Sequence, residues 1–188
     1  EWCGRLAGVL YLIASCQYIR SILARKTVPN RTTWFMWALV AIVLYMSAKA
    51  AGAEATLWVA RSEVIGLTLI ALLSIKYGKK EREKGERICI LGSVVSVAIL
   101  FAFRSPIVAL VSVLITDTFA TWPTIQKTIR YPQEEDRSTW ILIQGGNFLN
   151  ILAISKVTFG EIVYPIWLFL LHGIVLWLIF FPRGSKNV

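Results

Sequence analysis

Few residues in this sequence are equipped for chemistry, and they stand inside stretches that are otherwise apolar. Asp117 lies in the run 106–121, Glu63 and Arg61 in the run 57–75, and His172, the single histidine, in the run 163–181. Gln144, Asn147 and Asn150 recur every third residue within 138–154, which puts three amides on one broad face of a helix. A charge at the centre of a bilayer costs about 2.5–3.5 kcal/mol on the insertion scale, so each such group needs a physical reason to be there. For Asp117 the reasons divide evenly. It is a proton or cation site or an acceptor for solute hydroxyls, or it is a structural acceptor held by a neighbour such as Thr118 or Thr121. Glu63 and Arg61, two residues apart, point to different sides of a helix and form no mutual pair. Glu63 is expected to face a pocket and Arg61 to reach outward. The amides, beside Gly145 and Gly146, suit either close helix packing or a pocket wall that reads hydroxyls. His172 is either a satisfied interior residue or a pocket group.

Catalysis is not what this set suggests. There is no nucleophile elbow, metal-ligand spacing or phosphate loop, and His172 has no nucleophile near it in sequence, so no enzymatic activity, metal or cofactor is expected. Cys3, Cys16 and Cys89 have no metal-ligand spacing and are read as unpaired thiols, the latter two within or beside apolar spans. Trp34, Trp37, Trp58, Trp140, Tyr164 and Trp167 offer faces on which a sugar or nucleoside ring can stack, with Trp37 the pocket candidate; interfacial belts account for most of the others.

The elements that position these residues follow from the distribution of charge. The chain has 188 residues, 56% of them apolar, and a mean hydropathy of +0.63, which is too apolar for a soluble domain of this size. Its charges collect in short clusters between apolar runs near the ~20 residues that cross a bilayer. An all-α integral membrane protein is expected, because backbone in hydrocarbon must satisfy its own hydrogen bonds. Seven spans are read: 6–18, 33–50, 57–75, 88–103, 106–121, 138–154 and 163–181. The first extends upstream and continues into the next hairpin, as a span does and a cleaved signal peptide does not. Alternate loops and the C-terminal tail hold 15 of the 20 Lys and Arg residues, which puts the N-terminus outside and the C-terminus in the cytoplasm. The net charge of +9 is explained by that bias rather than by nucleic acid. The charged segment 79–87 reads as a solvated cytoplasmic linker.

One hairpin occurs twice. Cys16-Gln17-Tyr18-Ile19-Arg20 runs through a basic loop to Arg31-Thr32-Thr33-Trp34, and Pro123-Thr124-Ile125-Gln126-Lys127 runs through a charged loop to Arg137-Ser138-Thr139-Trp140. The offset is 107 residues at Arg20/Lys127 and 106 at Trp34/Trp140, and Trp58 falls over Tyr164 at 106. Spans one to three therefore repeat as spans five to seven, with the fourth as an inverting linker. The expected units are a first triple-helix bundle at 1–77, a basic linker and linker helix at 78–105, and a second triple-helix bundle at 106–188. Two parallel triplets imply a two-fold axis along the membrane normal and a pocket between the halves.

These hairpins resemble the PQ-loop motif of the SWEET, SemiSWEET and PQ-loop transporter superfamily, in which Pro-Gln is followed by a basic residue and a Trp opens the next helix. Gln17 and Arg20 keep the Gln and basic positions, with Cys16 at the Pro position; Pro123 and Lys127 are kept in the second copy, with Thr124 at the Gln position. The chain is also similar to small bacterial SWEET-like membrane proteins. The resemblance covers essentially the whole chain and implies a 3+1+3 arrangement with a central solute site. Where such proteins often carry a late Trp in the second helix and an Asn in the third, this chain has Tyr45-Met46, Ile151-Leu152, Glu63 and His172. A charged or proton-linked solute gains ground accordingly. Independently of family, Pro123 offers a hinge and Lys127 an anchor that snorkels to the cytoplasmic face.

The function expected is alternating-access transport of a small polar solute, sugar-like or other, in the plasma membrane. The alternative is a receptor or scaffold on the same architecture that moves nothing. Asp117, Asn147, Asn150, Gln144, Glu63, His172 and Trp37 are the expected solute contacts. Partners are the solute and the lipid bilayer, with a homo-oligomer left open and nucleic acid excluded.

Overall fold

The computed structural model describes residues 1–50, 52–78 and 105–182, with 91, 94, 95, 98 and 102 between them. Six long helices occupy the described residues: α1 (Trp2–Leu23), α2 (Arg31–Ala50), α3 (Leu57–Tyr77), α4 (Pro106–Arg130), α5 (Arg137–Leu152) and α6 (Phe159–Phe180), with a 3-10 turn at Pro132–Glu134. Most of the expected fourth span, and Cys89 with it, lies outside them; Leu91, Val94, Val95, Ala98 and Ala102 are helical and exposed.

The duplication is visible in local chemistry first. Thr33 donates its backbone N–H to the Asn30 side chain at 3.0 Å, and Thr139 donates its own to Asp136 at 2.8 Å. Asn30 and Asp136 stand 106 residues apart, so each copy opens its second helix with the same side-chain cap on an otherwise orphaned donor.

Packing repeats as well. α1 lies against α3 and α5, α2 against α3 and α4, and α6 against α4 and α5. These contacts close a ring in the order α1, α3, α2, α4, α6, α5. Exchanging α1 with α4, α2 with α5 and α3 with α6 leaves every neighbour pair unchanged. Within each triplet the third helix sits between the first two. Directions follow from what meets at each end. Lys127, late in α4, reaches the Val28 carbonyl in the α1–α2 loop, and Tyr18, late in α1, reaches Glu135 between α4 and α5. At the far end Gly4, early in α1, lies against Ala55 before α3 and Ala153 after α5, with no room for a Cβ. The first helices of the two triplets therefore run the same way and the second helices return.

The burial pattern is that of a protein in hydrocarbon. Each helix turns large apolar side chains outward, among them Leu12, Ile42, Leu69, Ile115, Phe148 and Leu170. Glu63, Asp117, Asn147, Asn150 and His172 are buried instead. In water that arrangement would leave most of the apolar surface wet; in a bilayer it is the stable one. The protein is a membrane-embedded helical protein.

Four described helices, not seven, are long and apolar enough to cross a membrane by length and composition: α1, α2, α3 and α6. α5 has 16 residues and dilutes its hydropathy with three amides and two glycines, while α4 carries Asp117 and a run of threonines. The motif also sits differently from expectation. α4 does not exit at Thr121 but continues through Pro123 to Arg130. Leaving the helix there would orphan a whole turn of backbone groups, whereas Pro123 removes only the donor owed to the Phe119 carbonyl.

Candidate functional site

A cavity with about 40 Å³ open to the centres of water molecules lies inside the ring, and all six helices contribute to its wall. That is room for a few waters only. Toward the N-terminal end of α1 the helices close over it through Ala7, Val40, Leu44, Leu110, Leu114 and Leu168. Toward the basic end it is closed by aromatic rings.

Of the expected solute contacts, Asp117, Glu63, His172 and Trp37 line this cavity. Glu63 accepts a hydrogen bond from the Tyr164 hydroxyl at 3.1 Å. Asp117 is 4% exposed, and its Oδ2 has no hydrogen-bond partner. Neither threonine serves its carboxylate. Thr118 donates to the Leu114 carbonyl at 3.0 Å, and Thr121 donates to the main-chain carbonyl of Asp117 at 2.7 Å. A helical threonine back-bonds four residues upstream by geometry, so the structural role expected of these neighbours is taken by backbone. Thr121 in turn accepts from the Trp37 indole at 3.1 Å, which fixes that ring against the cavity.

The amide stripe does not form the cavity wall. Asn147 lies one bond behind it: the Tyr11 hydroxyl donates to its Oδ1 at 2.5 Å, and its Nδ2 lies 3.2 Å from His172 Nδ1 and 3.4 Å from the Leu168 carbonyl. A carbonyl can only accept, so Nδ2 is the donor and His172 Nδ1 accepts from it. His172 is thereby held as a neutral imidazole with its proton on Nε2. Gly146 makes this possible, since a Cβ there would lie 2.8 Å from the Tyr11 ring. Gln144 donates to the Phe169 carbonyl at 3.1 Å and so clamps α5 to α6. Asn150 is fully buried with neither amide atom bonded. The stripe belongs to helix packing more than to the pocket.

The second copy of the motif departs furthest from expectation. Lys127 does not snorkel: it is 1% exposed, pairs with Glu135 at 2.5 Å, and donates to the Val28 carbonyl at 2.8 Å. Glu135 also accepts from the Trp140 indole at 3.0 Å and the Tyr18 hydroxyl at 3.3 Å. One buried ion pair thus joins both triplets at the basic end. The aromatic residues likewise form no belt there. Trp34, Trp37, Trp140 and Tyr164 are all buried, and Trp37 and Trp140 both pack edge-on against His172, at 6.0 and 5.8 Å. In the first copy Arg20 and Cys16 are exposed and Gln17 is half-buried; in the second Pro123 and Thr124 are buried. Arg61 does face outward, over the Trp58 ring at 5.0 Å.

Sequence reasoning missed Glu135, Tyr11 and Tyr18, and it took Tyr164 as a ring to stack on rather than as the donor to Glu63. A signal for Glu135 existed: at the offset of 107 it falls on Val28, so the second loop carries an acid where the first is apolar. The tyrosines stand within apolar runs, where a buried hydroxyl needs a partner.

No family model, curated protein or solved structure matches this chain.

Proposed function

We propose that this protein is a small transporter of the SWEET and PQ-loop kind, moving a small polar solute by alternating access between its two helix triplets. The observation that carries the reading is the central cavity, walled by both triplets of an exchange-symmetric ring and lined by a carboxyl group with one buried oxygen that has no partner. Packing alone, as around Asn150, tolerates such a group but gains nothing from it, because an unpaired buried polar atom costs about 1–3 kcal/mol or more. A site that binds and releases a ligand does gain from it. In this reading α4 and α5 cross the bilayer with the other four helices, since each is flanked in the ring by helices apolar enough to span. A linker helix completes a 3+1+3 arrangement.

Rocking of the triplets would open the cavity at one end by parting Lys127 from the Val28 carbonyl and Glu135 from the Tyr18 hydroxyl, and at the other by parting the apolar cluster around Leu114. Pro123, in the helix that carries Lys127, supplies a position where α4 bends at little further loss of hydrogen bonding. The Lys and Arg bias puts the Lys127 end in the cytoplasm and the N-terminus outside, in the plasma membrane. The competing receptor reading keeps the cavity and removes the passage.

Reconstitution into liposomes tests it. Purified protein should accelerate uptake of at least one solute from a panel of labelled sugars, nucleosides, amino acids, amines and guanidines, and unlabelled solute should compete. Binding without uptake would favour a receptor; neither across the panel would end both readings.

A further inference from the structure

The cavity contains an unbalanced electrostatic problem, and its solution names a class of ligand. Glu63 and Asp117 both line it, from α3 in one triplet and α4 in the other. No Lys or Arg among the described residues lines it. His172, on the same wall, is held neutral by the donor from Asn147. Lys127, the one buried Lys or Arg among the described residues, is already engaged by Glu135 and Val28. Glu63 has one neutral donor, the Tyr164 hydroxyl. Asp117, though 4% exposed, leaves its Oδ2 without any. Two carboxyl groups in a low-dielectric enclosure with no protein cation must be neutralised from outside, by protons or by a ligand. The rest of the wall is largely apolar, aliphatic side chains such as Val40, Leu44 and Leu168 alternating with the rings of Tyr18, Trp34, Trp37 and Trp140, and rings are the surfaces that attract a desolvated ammonium or guanidinium.

We propose that this cavity binds a small monovalent organic cation, an ammonium or guanidinium compound without an anionic group, between Asp117 and Glu63. The Asp117 Oδ2 takes a charge-assisted N–H hydrogen bond, Glu63 faces the ligand from the opposite triplet, the two carboxyls keeping one proton between them so that the single positive charge balances the site, and the tryptophan rings cover the rest of the cation. An amino acid or organic anion is disfavoured, since its carboxylate would find no base. A neutral solute leaves the carboxyl pair uncompensated except by protons. The site gives a reason for rocking as well, because a ligand held by one carboxyl from each triplet draws the two together around it. This assignment deepens the transport reading and rests on it for any movement of the ligand across the membrane.

Guanidinium and urea make the test, as a cation and its neutral isostere. The full chain in detergent micelles is titrated with millimolar guanidinium chloride, methylammonium chloride or urea at constant ionic strength in sodium chloride, reading the fluorescence of the cavity tryptophans. The two organic cations should give a saturable change and urea none. Asp117→Asn should weaken cation binding by about ten-fold or more, as loss of a charge-assisted contact does. Glu63→Gln should weaken it too and serves where D117N does not fold; wild-type cation against urea needs no variant. Equal saturable responses to urea and guanidinium would overturn the site. So would an equal response to additional sodium, no saturable response from folded wild-type protein, or unchanged affinity in both folded variants. Parallel flux assays in liposomes separate the two readings. Carboxylate-dependent binding without uptake removes transport and keeps the site. Uptake of a neutral solute, undiminished by D117N and with no cation binding, removes the site and keeps transport.

Discussion

Lys127→Met removes the buried ammonium and leaves the rest of its cluster in place. Glu135 would keep two neutral donors, Tyr18 and Trp140, but lose the cation that pairs with it at 2.5 Å. The Val28 carbonyl would lose its donor as well. Breaking a buried pair from one side costs about 3–5 kcal/mol, because the surviving charge stays out of water without compensation. Against a total stability of about 5–15 kcal/mol that is a large fraction. Glu135→Leu should cost a comparable amount, since Lys127 would then be left with a single carbonyl. The double variant K127M/E135L behaves differently. Replacing both members by apolar groups is often neutral or favourable by about 1–4 kcal/mol. Here the Tyr18 and Trp140 donors lose their acceptor, at about 1 kcal/mol each. The double variant should therefore lie within about 2 kcal/mol of wild type by those two opposing contributions. Equilibrium unfolding in mixed micelles, followed by tryptophan fluorescence, measures all four proteins. Single variants each losing under about 1 kcal/mol would mean that the pair behaves as an exposed one. A double variant as unstable as the two singles summed would mean that the two residues do not interact. Either result refutes the buried lock.

Three further outcomes follow from local geometry. Gly146→Ala drives a Cβ to 2.8 Å from the Tyr11 ring, so Tyr11 must withdraw from Asn147; a loss of about 1–3 kcal/mol in the same unfolding assay is expected. Asp136→Ala and Asn30→Ala each remove a cap from the duplicated hairpin, and each should cost about 0.5–2 kcal/mol, whereas an Asn-for-Asp exchange at 136 should cost little. Arg25 ends α1 with φ of 57°, a backbone conformation that suits glycine, so Arg25→Gly should leave the unfolding free energy unchanged or raise it by up to about 1 kcal/mol.

Architecture was legible because it is written in periodic and repeated features. The apolar runs located α1, α2, α3 and α6, and the hairpin repeat anticipated a ring whose neighbour pairs survive exchange of its halves. Asp117, Glu63 and His172 stood out because polar groups in apolar runs need a reason, and they do meet in one cavity. What stayed hidden depended on partners distant in sequence. Lys127 reads as a snorkelling anchor until the 3-10 turn brings Glu135 under it and the first loop offers the Val28 carbonyl. Spacing alone put Gln144, Asn147 and Asn150 on one face, but not which neighbour that face meets, and Gln144 turned out to grip α6. Trp34 and Trp140 resemble belt residues at the ends of spans; their burial follows from ring packing across the ring of helices, Trp140 against His172 and Trp34 against Tyr18 and Trp37. The limits of α4 were misread because the apolar run ends at Thr121, whereas the helix itself runs on through Pro123, the expected hinge, to Arg130.

The central claim is that the two triplets rock about the cavity, opening one end at a time. Glu54 and Lys156 belong to the loops that end the second helix of each triplet, are exposed, and approach to 3.2 Å at the end opposite the Lys127 pair. With the native cysteines replaced, E54C/K156C joined by a short bifunctional thiol reagent ties that end shut. In liposomes loaded with a solute that the unmodified protein transports, flux should stop on cross-linking, persist in each single-cysteine variant treated alike, and return when a cleavable linker is cut. Full flux through the cross-linked protein would contradict alternating access between the triplets.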